Sequence, residues 1–180
     1  AGFMMGSPTN ETDRDSDEKQ HAVVLTKGFW LMETEVTQGL WQAVMGENPS
    51  SFKKGDDYPV EQVSWEDCDN FIKKLNASGK LPQGLKAALP TEAQWEYACR
   101  AGSRGAYAGD LLIMGWYEIN SGNTTHAVRQ KKPNEWGMYD MHGNVWEWCA
   151  DWNDKDYYSA VAAGRDPKGP GANGQNRVLR

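Results

Sequence analysis

The sequence predicts an α+β domain, and three observations predict it: local capping signals for three short helices, strand-like segments near the start, and a loop-rich second half. His21–Leu25 and Phe29–Val36 are rich in β-branched and aromatic residues, with Lys27-Gly28 as a turn between them. Thr37 can cap a helix running through Met45 and ended by Gly46. Ser64 followed by Asp67 has the form of a capping box for a second helix through about Asn76, in which Trp65, Cys68, Phe71, Ile72 and Leu75 recur at helical spacing. Thr91 with Gln94 begins a third, which closes near Gly102. From Ser103 to Asn134 the chain is rich in Gly, Asn and Thr with few periodic apolar positions, which predicts long ordered loops of the kind that carry function or hold an ion. A turn-rich segment from Asp166 to Asn176 precedes Arg177–Arg180, which reads as the start of a strand.

Composition narrows the function classes. A chain of 180 residues without repeats or low-complexity tracts fits one domain, residues 1–180. The mean hydropathy of -0.76 and the lack of a long apolar run argue against a membrane-spanning segment. A net charge of -6 gives no basic footprint for nucleic acid. The acidic stretch Glu11–Lys19 reads as a solvated loop. Cys68, Cys99 and Cys149 form no C-x-x-C pair and are odd in number, so they read as free thiols rather than a zinc ribbon or a complete disulfide framework. His21, His126 and His142 are scattered and read as surface or turn histidines.

The segment Gly137–Trp152 concentrates the remaining information. Tyr139–Asn144, with Asp140 and Gly143-Asn144, has turn chemistry. Trp146, Trp148 and Trp152 then share one parity and Glu147, Cys149 and Asp151 the other, which predicts an extended strand with an aromatic core face and a carboxylate-bearing site face.

This segment resembles the Gly-Leu-Tyr-Asp-Met-x-Gly-Asn-Val-Trp-Glu-Trp signature of the formylglycine-generating enzyme family, also called the sulfatase-modifying-factor family. Four further blocks resemble that family in the same order: Gly2–Pro8, Glu33–Gln38, Tyr58–Asp67 and Leu89–Arg100. The resemblance implies a C-type-lectin-like fold, low in regular secondary structure, with three short helices around small antiparallel sheets. In the family, the stretch resembling Arg177–Arg180 leads into Gly-Gly-Ser and, in active members, two cysteines that bind copper and use dioxygen to convert a sulfatase cysteine to formylglycine. None of Cys68, Cys99 and Cys149 matches those positions, so the expectation is a domain truncated at both ends relative to the family, with no residue assigned a catalytic role. In some members the cysteine matching Cys99 pairs with one beyond this stretch; here Cys99 is expected to be a free thiol.

The resemblance also implies a structural calcium held by the side chains of Asp140 and Glu147 and the carbonyls of Gly143 and Val145. A turn that brings oxygens from alternating positions to one point suits a hard cation. The alternative is that Asp140 is an Asx-turn residue and Glu147 is solvated or paired with an arginine. The family's other calcium site needs a longer loop than Asn120–Val128. Two functional readings follow: a non-catalytic module that displays a surface to a protein or peptide ligand, as in retroelement-diversified family members, or a copper- and oxygen-dependent oxidase whose cysteine pair follows Arg180. A third, an iron-dependent sulfoxide synthase, lacks its histidine-rich bundle. The family suggests an extracytoplasmic or cell-surface setting in a bacterium. Oligomeric state and ligand identity are not encoded in these residues.

Overall fold

The three capped helices form where their local signals place them. The computed structural model describes residues 1–16, 18–160, 163–171 and 176–180. Helix α1 spans Gln38–Met45, with the Thr37 side chain accepting from the backbone of Leu40 and Gly46 ending it at φ 92°. Helix α2 spans Trp65–Ala77 and α3 spans Glu92–Arg100. Both begin with complete capping boxes, Ser64 with Asp67 and Thr91 with Gln94. Two one-turn helices, α4 at Leu111–Met114 and α5 at Tyr157–Ala160, were not expected.

Strands β1 (Gly2–Met5), β2 (His21–Val24) and β4 (Ala163–Arg165) form one sheet with β2 in the centre, and β3 (Trp148–Trp152) pairs with β5 (Arg177–Leu179) in another. Two expectations are corrected here. Phe29–Val36 forms no strand: both edges of β2, its expected partner across the Lys27-Gly28 turn, are taken by β1 and β4. Nor are both sheets purely antiparallel: β2 and β4 run parallel, in the register Ala22 to Ala163. The predicted turn-rich segment is seen only as far as residue 171 and again from 176; residues 172–175, and Asp17 of the acidic stretch, lie outside the described residues.

Helix α3 lies between two apolar clusters. Ala93 and Tyr97, one turn apart, face Met5, Val23 and Leu25, while Trp95 and Cys99 face Met141, Cys149 and Val178. A third cluster joins α1 to α2, with the Trp41 and Phe71 rings stacked at 4.9 Å. Burying each of these two rings stabilises the fold by about 1.5–3 kcal/mol.

The tryptophan-rich strand has the predicted alternation with the faces exchanged. Cys149 and Asp151 are the fully buried positions, whereas Trp148 and Trp152 are half-buried and Trp146, ahead of the strand, is 76% exposed. Indoles explain the inversion, since each carries an N–H that needs a partner. Trp148 donates to the carbonyl of Val63 at 3.0 Å, and Trp65 donates to the carbonyl of Cys149 at 2.9 Å, so the start of α2 and β3 are cross-pinned. The guanidinium of Arg177 lies 3.8 Å from the ring centres of both Trp65 and Trp152.

Candidate functional site: a carboxylate cluster behind a cleft wall

The turn that follows Tyr139 is built from positive-φ backbone. Asp140 and Asn144 take φ 58° and 70°. Gly143 sits at φ 144°, and a Cβ on it would fall 2.0 Å from the Trp116 carbonyl oxygen, so only glycine fits. Asn144 locks the turn to the preceding loop: its Oδ1 accepts from the backbone of His126 and its Nδ2 donates to the carbonyl of the same residue. Asn134 ties the other end to α3, donating to the carbonyls of Ala98 and Cys99 while accepting from the backbone of Trp136 and Met138. The expected ordered loops of Ser103–Asn134 are thus a frame for this turn, stiffened by a stack of His126 on Trp116 at 3.7 Å.

Three carboxyl groups gather behind the turn. Asp140, 2% exposed, accepts from the backbone of Arg129 through Oδ2 while its Oδ1 has no partner. Glu35 enters from the segment before α1 and is buried, with neither Oε1 nor Oε2 hydrogen-bonded. That segment is held by backbone bonds from Tyr139 to Glu33 at 2.8 Å and from Val60 to Val36 at 2.9 Å. Burial, then the charges of Asp140 and Glu147, push the Glu35 carboxyl up to about 9. Burial pushes Glu147 up to about 7, opposed by the neighbouring Trp95 indole and reinforced by Asp140. Burial also raises Asp140.

Orphaned acceptor oxygens buried among coupled carboxyls are costly unless a proton or a cation joins them. The donor set fits a hard cation such as calcium, which takes carboxylate and carbonyl oxygens. Among the described residues no three His, Cys, Asp or Glu side chains already meet at metal-holding distance. A site here therefore needs main-chain oxygens, and Gly143 and Val145 lie in the same turn, joined by a bond from Val145 N to Gly143 O at 3.1 Å. The structure brings the carboxyl groups of Asp140 and Glu147 within electrostatic reach of each other and adds Glu35, which the sequence does not single out, while Gly143 and Val145 lie in the same turn. Glu35 stands in the Glu33–Gln38 block, so its place in a matched motif was the available signal.

The other side of the turn faces a cleft of about 890 Å³. His142 and Trp146 line it, with Cys99, Tyr107 and Arg180. Its floor is an ionic ladder: Arg100 pairs with Glu96 at 2.8 Å, Arg180 with Glu96 at 3.0 Å and with Glu92 at 2.7 Å, and Tyr158 donates to Glu92 at 2.7 Å. His21 is stacked on Tyr158 at 4.3 Å and is buried, which corrects its reading as a surface histidine; His126 and His142 are half-buried. Much of the acidic stretch, including Glu11, Asp15 and Glu18, rims the cleft.

The three thiols are held towards their neutral form. Burial pushes Cys99 up to about 12 and Cys68 up to about 11, and raises Cys149 further. Cuprous ion is held by thiolates close together, the form that burial disfavours in these three. Cys99 lies 3.8 Å from His142 Nδ1, yet burial lowers the pKa of that imidazole, so the two groups are a neutral contact and not an ion pair.

Comparisons with known proteins agree with this architecture. Residues 2–180 match the sulfatase-modifying factor enzyme 1-like domain. The formylglycine-generating enzyme of Streptomyces coelicolor is 39% identical over 140 residues, 68% of this chain and 41% of that protein. Variable protein 1 of Treponema denticola superimposes with a TM-score of 0.81 at 33% identity, over 99% of this chain and 81% of that one. PvdO from Pseudomonas aeruginosa superimposes with a TM-score of 0.85 at 27% identity, over 100% and 78%. The chain spans about half the length of the curated relatives it matches. With the fold, the turn and the ordered motifs in agreement, the chain belongs to the sulfatase-modifying factor enzyme 1-like family, that of the formylglycine-generating enzymes.

Proposed function

We propose that this domain is a non-catalytic ligand-binding module, in which a calcium-held turn supports one wall of the cleft and the cleft receives a protein or peptide ligand. The observation that carries this reading is the burial of the thiols: Cys99 and Cys149 are 7% and 0% exposed and Cys68 is half-buried, and burial raises each above its ordinary value, which disfavours the thiolate that a soft ligand or nucleophile needs. The large solvent-facing indole of Trp146, 76% exposed on the rim, supports recognition, since exposed tryptophan is a common anchor for a partner. Likeness to a protein called a variable protein points the same way.

The test is incubation of the 180-residue chain with a Cys-x-Pro-x-Arg peptide, copper and oxygen, followed by mass spectrometry. An unchanged peptide is expected; loss of its thiol with gain of an aldehyde contradicts the reading.

The 39% identity to a formylglycine-generating enzyme favours a second reading, in which the parent polypeptide supplies the copper-binding cysteine pair after Arg180. Reading the codons after Arg180 separates the two: a cysteine pair favours the oxidase, a cysteine-free stretch the binding module.

A further inference from the structure

One turn serves two sites. Asp140, Gly143, Val145 and Glu147 belong to the cation side, while His142 and Trp146, interleaved with them in sequence, line the cleft. The turn is also fastened to the cleft from within, because the Cys99 thiol donates to the Met141 carbonyl at 3.4 Å and His142 Nε2 accepts from the backbone of Ala108 at 3.0 Å. On the cation side the fastening is incomplete: Asp140 and Glu35, both more than nine-tenths buried, aim oxygens without partners into the cluster.

From this arrangement we infer that cation occupancy behind the turn positions the cleft wall, so that calcium acts as a regulator of cleft recognition through His142, Trp146 and the Met141–Cys99 bond. This rests on the calcium reading given above. A cation there would give the unpartnered oxygens of Asp140 and Glu35 a partner and so hold the turn from behind, keeping the interleaved His142 against Ala108 and Met141 against Cys99. Without it, Asp140 Oδ1 and both Glu35 oxygens have no partner behind the turn, so the turn is fastened only from the cleft side and the wall loosens at Cys99. Linkage makes the effect reciprocal, so a cleft ligand tightens calcium binding by the same factor.

The test uses the full chain with calcium alone as the probe and reads alkylation of each cysteine by iodoacetamide, resolved by peptide mass spectrometry, beside calorimetry for calcium. Calcium is expected to slow alkylation of Cys99 roughly tenfold relative to a chelator, within the usual range of coupling between sites, and to leave half-buried Cys68 on α2 unchanged. Glu35→Gln weakens calcium binding and shrinks the Cys99 effect in proportion. Calcium that binds without changing the Cys99 rate overturns the coupling and leaves the cation site standing. Calcium that does not bind overturns both. Equal acceleration of all three cysteines in chelator means global loosening, and also overturns the coupling. Where Glu35→Gln fails to fold, quenching of exposed Trp146 fluorescence by iodide, compared with and without calcium in wild type and Trp146→Phe, gives the same decision: a calcium-dependent change carried by Trp146 supports the coupling, and its absence overturns it.

Discussion

Asp151 caps helix α3 from across the fold, its Oδ2 accepting the backbone N–H of Glu92 at 2.9 Å. A carboxylate at that end complements the helix dipole. Yet the group is 1% exposed, its Oδ1 has no partner, and burial pushes it up to about 6 against the pull of the Glu92 N–H. Because the folded pKa lies above the unfolded value, the folded state holds this proton more tightly between about pH 4 and 6. The contribution is full below the unfolded value and is lost as pH rises through about 6. Asp151→Asn keeps an acceptor for Glu92 and cannot ionise. Its melting temperature is therefore expected to gain on wild type as pH goes from 4 to 7, and a difference that stays flat across that range contradicts the assignment.

Arg177 is a structural pin. Its guanidinium is sandwiched between Trp65 and Trp152 and donates to the carbonyl of Ala150 at 2.7 Å. Arg177→Lys keeps the charge and loses both planar stacks, so it should cost about 1–2 kcal/mol. Denaturant midpoints check this; a change within a few tenths of a kcal/mol means the sandwich contributes little.

Gly143→Ala forces a Cβ to 2.0 Å from the Trp116 carbonyl oxygen. A positive φ and a backbone clash together are expected to cost about 3 kcal/mol or more and to reduce calcium affinity. Gly102→Ala, at φ 90° with open space around its Cβ, carries strain alone and should cost about 1 kcal/mol. Similar losses in the two variants would show that the turn relaxes around the clash.

What was legible in the sequence was local. Thr37, Ser64 with Asp67 and Thr91 with Gln94 fix three helix starts by bonds to residues three positions away, which a single sequence displays. The turn at Asp140–Asn144 is local in the same sense. Phe29–Val36 failed because strand formation depends on a free partner edge, and β4, which takes the place beside β2, comes from the other end of the chain. The tryptophan strand failed in polarity, since alternation gives two faces and does not say which is inside. Parity puts Trp148 and Trp152 on the expected aromatic core face, whereas the N–H of Trp148 and the Arg177 stack on Trp152 keep them at the margin. Glu35 was missed because its meeting with Asp140 and Glu147 is made by the tertiary fold, through the bond from Tyr139 to Glu33.

A cation joining Asp140 and Glu147 is the central element of the proposed site, and a thermal melt with calcium or chelator tests it most directly. Binding to the folded state stabilises by about 2.7 kcal/mol at a hundredfold excess over the dissociation constant. Calcium should therefore raise the melting temperature of wild type, hardly move that of Glu147→Gln, and act on Glu11→Gln, in the acidic loop, as on wild type. Equal shifts in wild type and Glu147→Gln, or no shift in either, would contradict the site and leave Asp140 as a turn residue alone.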